Sequence, residues 1–229
     1  MLRIGLLGGM SWESSAEYYR LINQLVKERL GGFHSADLLL RSVDFASIET
    51  LQSEGRWDEA GAVLADAAVE LVRGGAELLI LCTNTMHKVA PAIEATVDVP
   101  FINLIHAAGA TVAGRGMGTI GLLGTAFTME QDFYRDGLAA HGLTVLTPAA
   151  ADRTVVHRII YEELCVGIVS DSSRAEYVRI IQDLSERGAE GVVLGCTEIE
   201  LLISQEHTNV PLFPTTAIHA EAAVSAALA

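Results

Sequence analysis

The chain has 229 residues, 50% of them apolar and 19% charged, with 15 basic side chains against 29 acidic ones for a formal charge of −14. A chain of this length and apolar content makes one large or two small domains with a complete core, which excludes disorder, and its acidity excludes nucleic acid as a partner. Mean hydropathy is +0.35, yet the longest apolar runs, at 78–82 and 192–194, are strand length, so no membrane association is expected.

The opening Met1-Leu-Arg-Ile-Gly-Leu-Leu-Gly-Gly is too short and too broken by glycine for a signal peptide, and it runs straight into Trp12-Glu13. It predicts a buried strand over 4–7, followed by a strand at 38–43, an amphipathic helix over 57–73 and a strand over 78–82. The alternation returns with strands over 120–123, 143–146 and 192–194 and an amphipathic helix over 173–187. Such alternation predicts an α/β fold of parallel sheets flanked by helices. Three cysteines, Cys82, Cys165 and Cys196, show neither a CxxC spacing nor a Cys/His ligand set, so no disulfide framework and no metal site is indicated, and a reducing cytoplasm is the expected setting.

The sequence repeats itself. Ile4-Gly-Leu-Leu-Gly8 returns letter for letter 116 residues later as Ile120-Gly-Leu-Leu-Gly124, and Tyr18 maps onto Tyr134 at the same offset. Gly75-Ala-Glu77, an apolar strand and Cys82-Thr83 are matched by Gly188-Ala-Glu190, an apolar strand and Cys196-Thr197. Each half then closes with a Val-Pro pair, Val99-Pro100 or Val210-Pro211, ahead of Ile105-His106 or Ile218-His219. A unit of about 115 residues used twice predicts two pseudo-twofold-related domains, 1–114 and 115–214, with a helix over 215–229 packed back on the first and a tight hinge near 114–118. Open α/β sheets bind ligands at the carboxyl ends of their strands, which puts the expected active site in the interdomain cleft.

Cys82 and Cys196 each end a predicted strand and begin a threonine-initiated turn, Cys82-Thr-Asn-Thr-Met-His87 and Gly195-Cys-Thr-Glu-Ile199. A lone strand cysteine is ordinarily a small hydrophobe, but two at matched strand ends point to chemistry. A free thiol is only about 3% thiolate at neutral pH, and a helix N-terminus favours the anion, so the two are expected to become usable bases. Thr83, Asn84, Thr85 and Thr197, with the amides of their turns, are placed to hold a carboxylate. Inverting a stereocentre requires one group to remove the Cα proton and another to deliver a proton to the opposite face. A duplicated half-domain supplies such a pair.

The stretches Ile4 to Trp12, Cys82 to His87 and Gly195 to Ile199 resemble the aspartate/glutamate racemase superfamily, whose members work without pyridoxal phosphate. The resemblance covers nearly the whole chain. It implies an amino-acid racemase with no cofactor and a small amino-acid substrate, Cys82 and Cys196 as the catalytic acid/bases, Met10 and Ser11 bordering the site, and a homodimer. Glutamate racemases carry a histidine where Glu198 stands, so Glu198 either tunes Cys196 or caps the following helix. Aspartate racemases resemble one another in an arginine after the second strand and a lysine in a Tyr-Glu-x-x-Lys-x-Gly segment; here the second stretch reads Tyr161-Glu-Glu-Leu-Cys-Val-Gly167, with Cys165 in the lysine's place. Arg41 or Arg56 could substitute for the arginine. With these cations missing, broad specificity and turnover of neutral amino acids are expected, and a maleate isomerase, a hydantoin racemase or a non-catalytic binding module are the alternatives.

Gly5-x-x-Gly8-Gly9 does not meet the dinucleotide fingerprint. His87, His106, His141, His157 and His219 are expected as single helix-start or core hydrogen bonders, His87 being the one beside the cysteine turn. Gln52 either reaches the substrate's side chain or lies solvated on its helix. Trp12 and Trp57 are expected to pack.

Overall fold

The computed structural model describes residues 1–229. In chain order the elements are β1 (Ile4–Gly8), α1 (Trp12–Leu30), β2 (Leu38–Ser42), α2 (Phe45–Ser53), α3 (Trp57–Arg73), β3 (Leu78–Leu81), α4 (Ala90–Glu94), β4 (Phe101–Ile102) and α5 (Leu104–Gly114). They continue as β5 (Thr119–Gly124), α6 (Ala126–Glu130), α7 (Asp132–Ala139), β6 (Thr144–Leu146), α8 (Ala150–Glu162), α9 (Asp171–Glu186), β7 (Val192–Gly195), α10 (Ile199–Leu202), β8 (Leu212–Pro214) and α11 (Thr215–Leu228).

The strands form two four-stranded parallel sheets, ordered β2-β1-β3-β4 and β6-β5-β7-β8, one topology used twice as the duplicated sequence requires. Strands β1, β3 and β7 are buried at every position, the unbroken apolar run that a parallel sheet covered on both faces demands. Helix α3 buries Ala60, Leu64, Ala67, Ala68 and Leu71 at helical spacing against its sheet. No helix is long and apolar enough to cross a membrane.

The chain divides into two compact units, Met1–Leu104 with His219–Ala229, and Ile105–Ile218. The sequence divides the domains at 114 and 214 and packs the last helix on the first; the units divide after Leu104 and Ile218, so α5 is the element placed differently. Helix α5 goes with the second unit because Ile105 lies against Gly137, where a Cβ would come within 2.7 Å of Ile105 Cγ2, and because His141 lies against Gly109. Most of α11 goes with the first unit, whose core Ala220, Ala223, Val224 and Ala227 complete beside Ile4, Leu6, Tyr18 and Ile22. Each unit is therefore finished by the helix that comes after the other's last strand.

His219 fixes α11 in the first unit. Tyr18 donates its hydroxyl proton to His219 Nδ1 at 2.9 Å, and Nε2–H donates to the Ile102 carbonyl at 2.6 Å. Burial holds the imidazole neutral, pushing its pKa down from 6.5 to about 4. The unfolded chain therefore takes up a proton below pH 6.5 that the folded chain refuses until about pH 4, so stability falls as pH drops through that window. In urea titrations the wild type should lose roughly 2 kcal/mol more between pH 7 and pH 4.5 than a His219→Gln variant, whose amide can keep both hydrogen bonds without titrating. Equal losses would show that His219 does not govern the acid limb.

Candidate active site

In the first unit, the carboxyl ends of β1 and β3 lie side by side. The ladder carries one residue past β3, the Cys82 amide donating to the Leu7 carbonyl at 2.9 Å. Cys82 is 0% exposed, and Ser14 Oγ donates to its carbonyl at 3.3 Å. Thr83, Asn84 and Thr85 are buried and lead into a 3₁₀ turn over Thr85–Val89. His87 braces this turn: the Leu104 amide donates to Nε2 at 3.0 Å, which leaves Nδ1 to donate to the Thr83 carbonyl at 2.7 Å. Beyond β1, Gly9 has φ of +97°, and a Cβ there would lie 2.2 Å from the Val43 carbonyl oxygen, so only glycine makes this turn. Its amide donates to Ser15 Oγ at 2.7 Å, and Ser11 caps α1 by accepting from the Ser14 amide at 3.2 Å. Met10 packs into the apolar cluster with Ile48 and Met86.

The second unit repeats the arrangement at the ends of β5 and β7, with one difference. Cys196 Sγ donates to Glu198 Oε2 at 2.9 Å, where the first unit has Asn84 at the matching place. Thr216 Oγ1 donates to Thr197 Oγ1 at 3.2 Å, the Thr216 amide donates to Glu200 Oε1 at 3.1 Å, and Thr215 Oγ1 donates to the Leu194 carbonyl at 2.8 Å. These bonds tie the start of α11 to the cysteine turn. Cys165 is half-buried against the same apolar cluster as Cys196. Its segment is held by Glu163, which accepts from Ser173 Oγ at 2.5 Å, Ser170 Oγ at 3.2 Å and Arg158 at 3.2 Å.

Both strand-end thiols are held protonated, contrary to the sequence expectation of easily formed thiolates. Burial raises the Cys82 thiol pKa. Burial also raises that of Cys196, with the Glu198 carboxylate adding to it. The reason lies in the element on the C-terminal side of each cysteine, a five-residue 3₁₀ turn after Cys82 and the four-residue α10 after Cys196. Elements this short offer little dipole to offset the loss of water.

Several sequence expectations change in the fold. Gln52 is not solvated but 5% exposed, donating from Nε2 to the Met86 sulfur at 2.8 Å. Trp12 is 68% exposed and does not pack, whereas Trp57 lies partly buried under Lys88, whose Nζ is 3.9 Å from the ring centroid. His106 and His141 are not single but share a 3.1 Å contact between Nδ1 and Nε2. Arg41 donates to Glu70 at 2.7 Å and Arg56 to Glu59 and Glu54 at 2.6 and 2.7 Å, so both are engaged at the surface. Glu198 is the sole buried residue among the charged types. Thr125, buried at the end of β5 and capping α6, escaped the sequence reading, as did Thr216 and Glu200. Thr125 could have been found from the repeat, since it stands 116 residues after Gly9. No group of three or more His, Cys, Asp or Glu side chains is arranged to hold a metal ion.

The Asp/Glu/Hydantoin racemase family profile matches residues 7–223. The chain belongs to this family. A Yersinia pestis protein provisionally assigned as an Asp/Glu racemase is 52% identical, with a TM-score of 0.95 and full coverage of both chains. An aspartate racemase homologue from Pyrococcus horikoshii OT3 is 33% identical at a TM-score of 0.88, again over 100% of both. A glutamate racemase of Roseiflexus sp. RS-1 is 26% identical over 153 residues, 65% of this chain, which spans little more than half (54%) of that relative's length.

For this racemase-family chain, the burial of the thiols sets an order of reactivity. Iodoacetamide at pH 7.5, with peptide mass mapping afterwards, should label half-buried Cys165 well before Cys82 and Cys196, whose labelling should rise as the pH is raised. Labelling of Cys82 or Cys196 first at neutral pH would show that one of them rests as a thiolate.

Proposed function

We propose that the protein is an amino-acid racemase in which Cys82 and Cys196 act on opposite faces of one substrate Cα, with no cofactor. One thiolate takes the Cα proton, the electron pair passes into the adjoining carboxylate as an enolate, and the opposite thiol gives its proton to Cα. One C–H bond breaks, one forms, and the configuration inverts. Thr83, Asn84, Thr85 and Thr197, with the turn amides, hold the substrate carboxylate and stabilise the charge that develops on it. Met10 and Ser11 border the site, and Cys165 faces the substrate side chain.

The observation that carries this reading is the pair of buried thiols at matched ends of β3 and β7, supported by family membership. Buried thiols need a route to the thiolate. Glu198, 2.9 Å from Cys196, can accept that proton as the substrate binds, and the Cys196 anion then has a neutral carboxylic acid beside it. Cys82 has no carboxylate in its turn and is the natural proton donor in that same step.

A side-chain carboxylate brought to buried surroundings costs several kcal/mol unless a cation meets it. No lysine or arginine is among the buried residues, so at least one neutral amino acid should be turned over as well as aspartate.

Cys82→Ser and Cys196→Ser should each lower racemisation by at least about a thousandfold, because a serine hydroxyl is a far weaker acid than a thiol. Glu198→Gln should lower kcat/KM about tenfold to a hundredfold. The loss must be equal in both directions, since two enantiomers have an equilibrium constant of one. Polarimetry with melting curves on each variant checks this; near wild-type turnover in both serine variants would rule out two-base chemistry.

A further inference from the structure

Two imidazoles meet on the second unit. His106 Nδ1 and His141 Nε2 stand 3.1 Å apart, with ring centroids separated by 5.3 Å and planes inclined by 56°. His106 is exposed near the start of α5, and His141 is half-buried just beyond α7. The seat of the second ring is built into α5. Gly109 comes three residues after His106, on the same helix face, and the three atoms nearest to a Cβ placed there all belong to His141, with Cδ2 at 2.5 Å and Nε2 at 3.2 Å. An alanine at this position would push the ring away. Glycine inside a helix costs stability relative to alanine, so α5 gives up stability where it seats an imidazole against His106. The backbone behind that ring is held as well: the His141 amide donates to the Leu138 carbonyl at 3.0 Å, and Gly142, with φ of +78°, turns the chain ahead of β6.

A hydrogen bond between two water-facing side chains replaces bonds to water and gains little, so it does not account for this arrangement. A metal ion does. Two imidazole nitrogens bound to one ion at about 2.0–2.1 Å lie about 2.9 Å apart at a right angle and about 3.3 Å apart at the tetrahedral angle. The 3.1 Å found here falls between the two. Of the facing nitrogens, one now carries a proton; that proton moves to the far nitrogen of its own ring, and both rings turn until their lone pairs converge. Both imidazoles stay neutral. No third His, Cys, Asp or Glu joins them, so water fills the remaining positions, and the formal charge of −14 favours the approach of a cation. Imidazole suits copper, nickel and zinc, whereas calcium and magnesium require oxygen ligands.

We propose that His106 and His141 form a surface site for one divalent ion of the copper, nickel and zinc class. The ion clips α5 to the end of α7, within the unit that α5 joins by packing. Neither histidine belongs to a cysteine turn, so the site is separate from the racemase reading.

Titration calorimetry of the whole chain with nickel chloride tests the proposal. Wild type should take up one nickel ion per chain, and His106→Gln and His141→Gln should each weaken binding at least about tenfold. Gly109→Ala keeps both histidines and should weaken binding too, through the displaced ring. Nickel at about five times its Kd should raise the wild-type Tm by about 2 to 4 °C and leave the histidine variants unmoved. Copper(II) in place of nickel should show two coupled imidazole nitrogens in its EPR spectrum. No uptake by wild type at millimolar nickel would overturn the proposal. So would uptake equally tight in both histidine variants, which would put the ion elsewhere, as on a cysteine. If His141→Gln does not fold by its melting curve, His106→Gln, changed at an exposed position, and the copper spectrum still decide. Racemase activity is not part of the readout, so failure here leaves the proposed function standing.

Discussion

A thiol at the end of a buried parallel strand is kept protonated by the loss of water around it, and both Cys82 and Cys196 stand in that position. In water a thiol is a weak base mainly because so little of it is ionised; here burial deepens the deficit and at the same time makes any thiolate that does form more reactive. The two units answer this constraint differently. The second sets a carboxylate 2.9 Å from its sulfur, and the first sets Asn84 in the matching turn. A duplicated scaffold thus carries two thiols in unlike surroundings. On the proposed reading one of them starts as the base and the other as the acid.

The rest of each unit serves to hold these turns still. His87 cannot act as a base while its Nε2 accepts from Leu104 and its Nδ1 donates to Thr83; its work is to fix the carbonyl next to Cys82. In the second unit Thr216, at the start of α11, does the same through its bonds to Thr197 and to Glu200 of α10, and the tail of α11 belongs to the first unit's core with His219.

Much of the fold was legible in the sequence because it depends on local pattern. The repeat of Ile4 to Gly8 at Ile120 to Gly124 translates into two sheets of identical strand order, and the spacing within Trp57–Arg73 gives α3 its buried face. The boundary at Leu104 was not legible, since it depends on which surface α5 meets, and nothing in the run Ile105-His106 records that Gly137 is waiting for it. The ionisation of the thiols was misread for a similar reason. Sequence shows a threonine turn after each cysteine, but not that the helix it starts is one turn long. Gln52 was legible as a candidate and not as a buried one, because α2 is too short for its pattern to reveal which face turns inward.

The central claim is that two monoprotic groups share one Cα, and isotope position at early times tests it most directly. In deuterium oxide each enantiomer of a good substrate should yield product carrying deuterium at Cα while the remaining substrate stays protiated, because a thiolate that takes the substrate's proton can only return that same proton, and the deuteron comes from the other thiol. Deuterium entering the substrate pool as fast as the product would mean that a single exchanging base serves both faces, and would contradict the account.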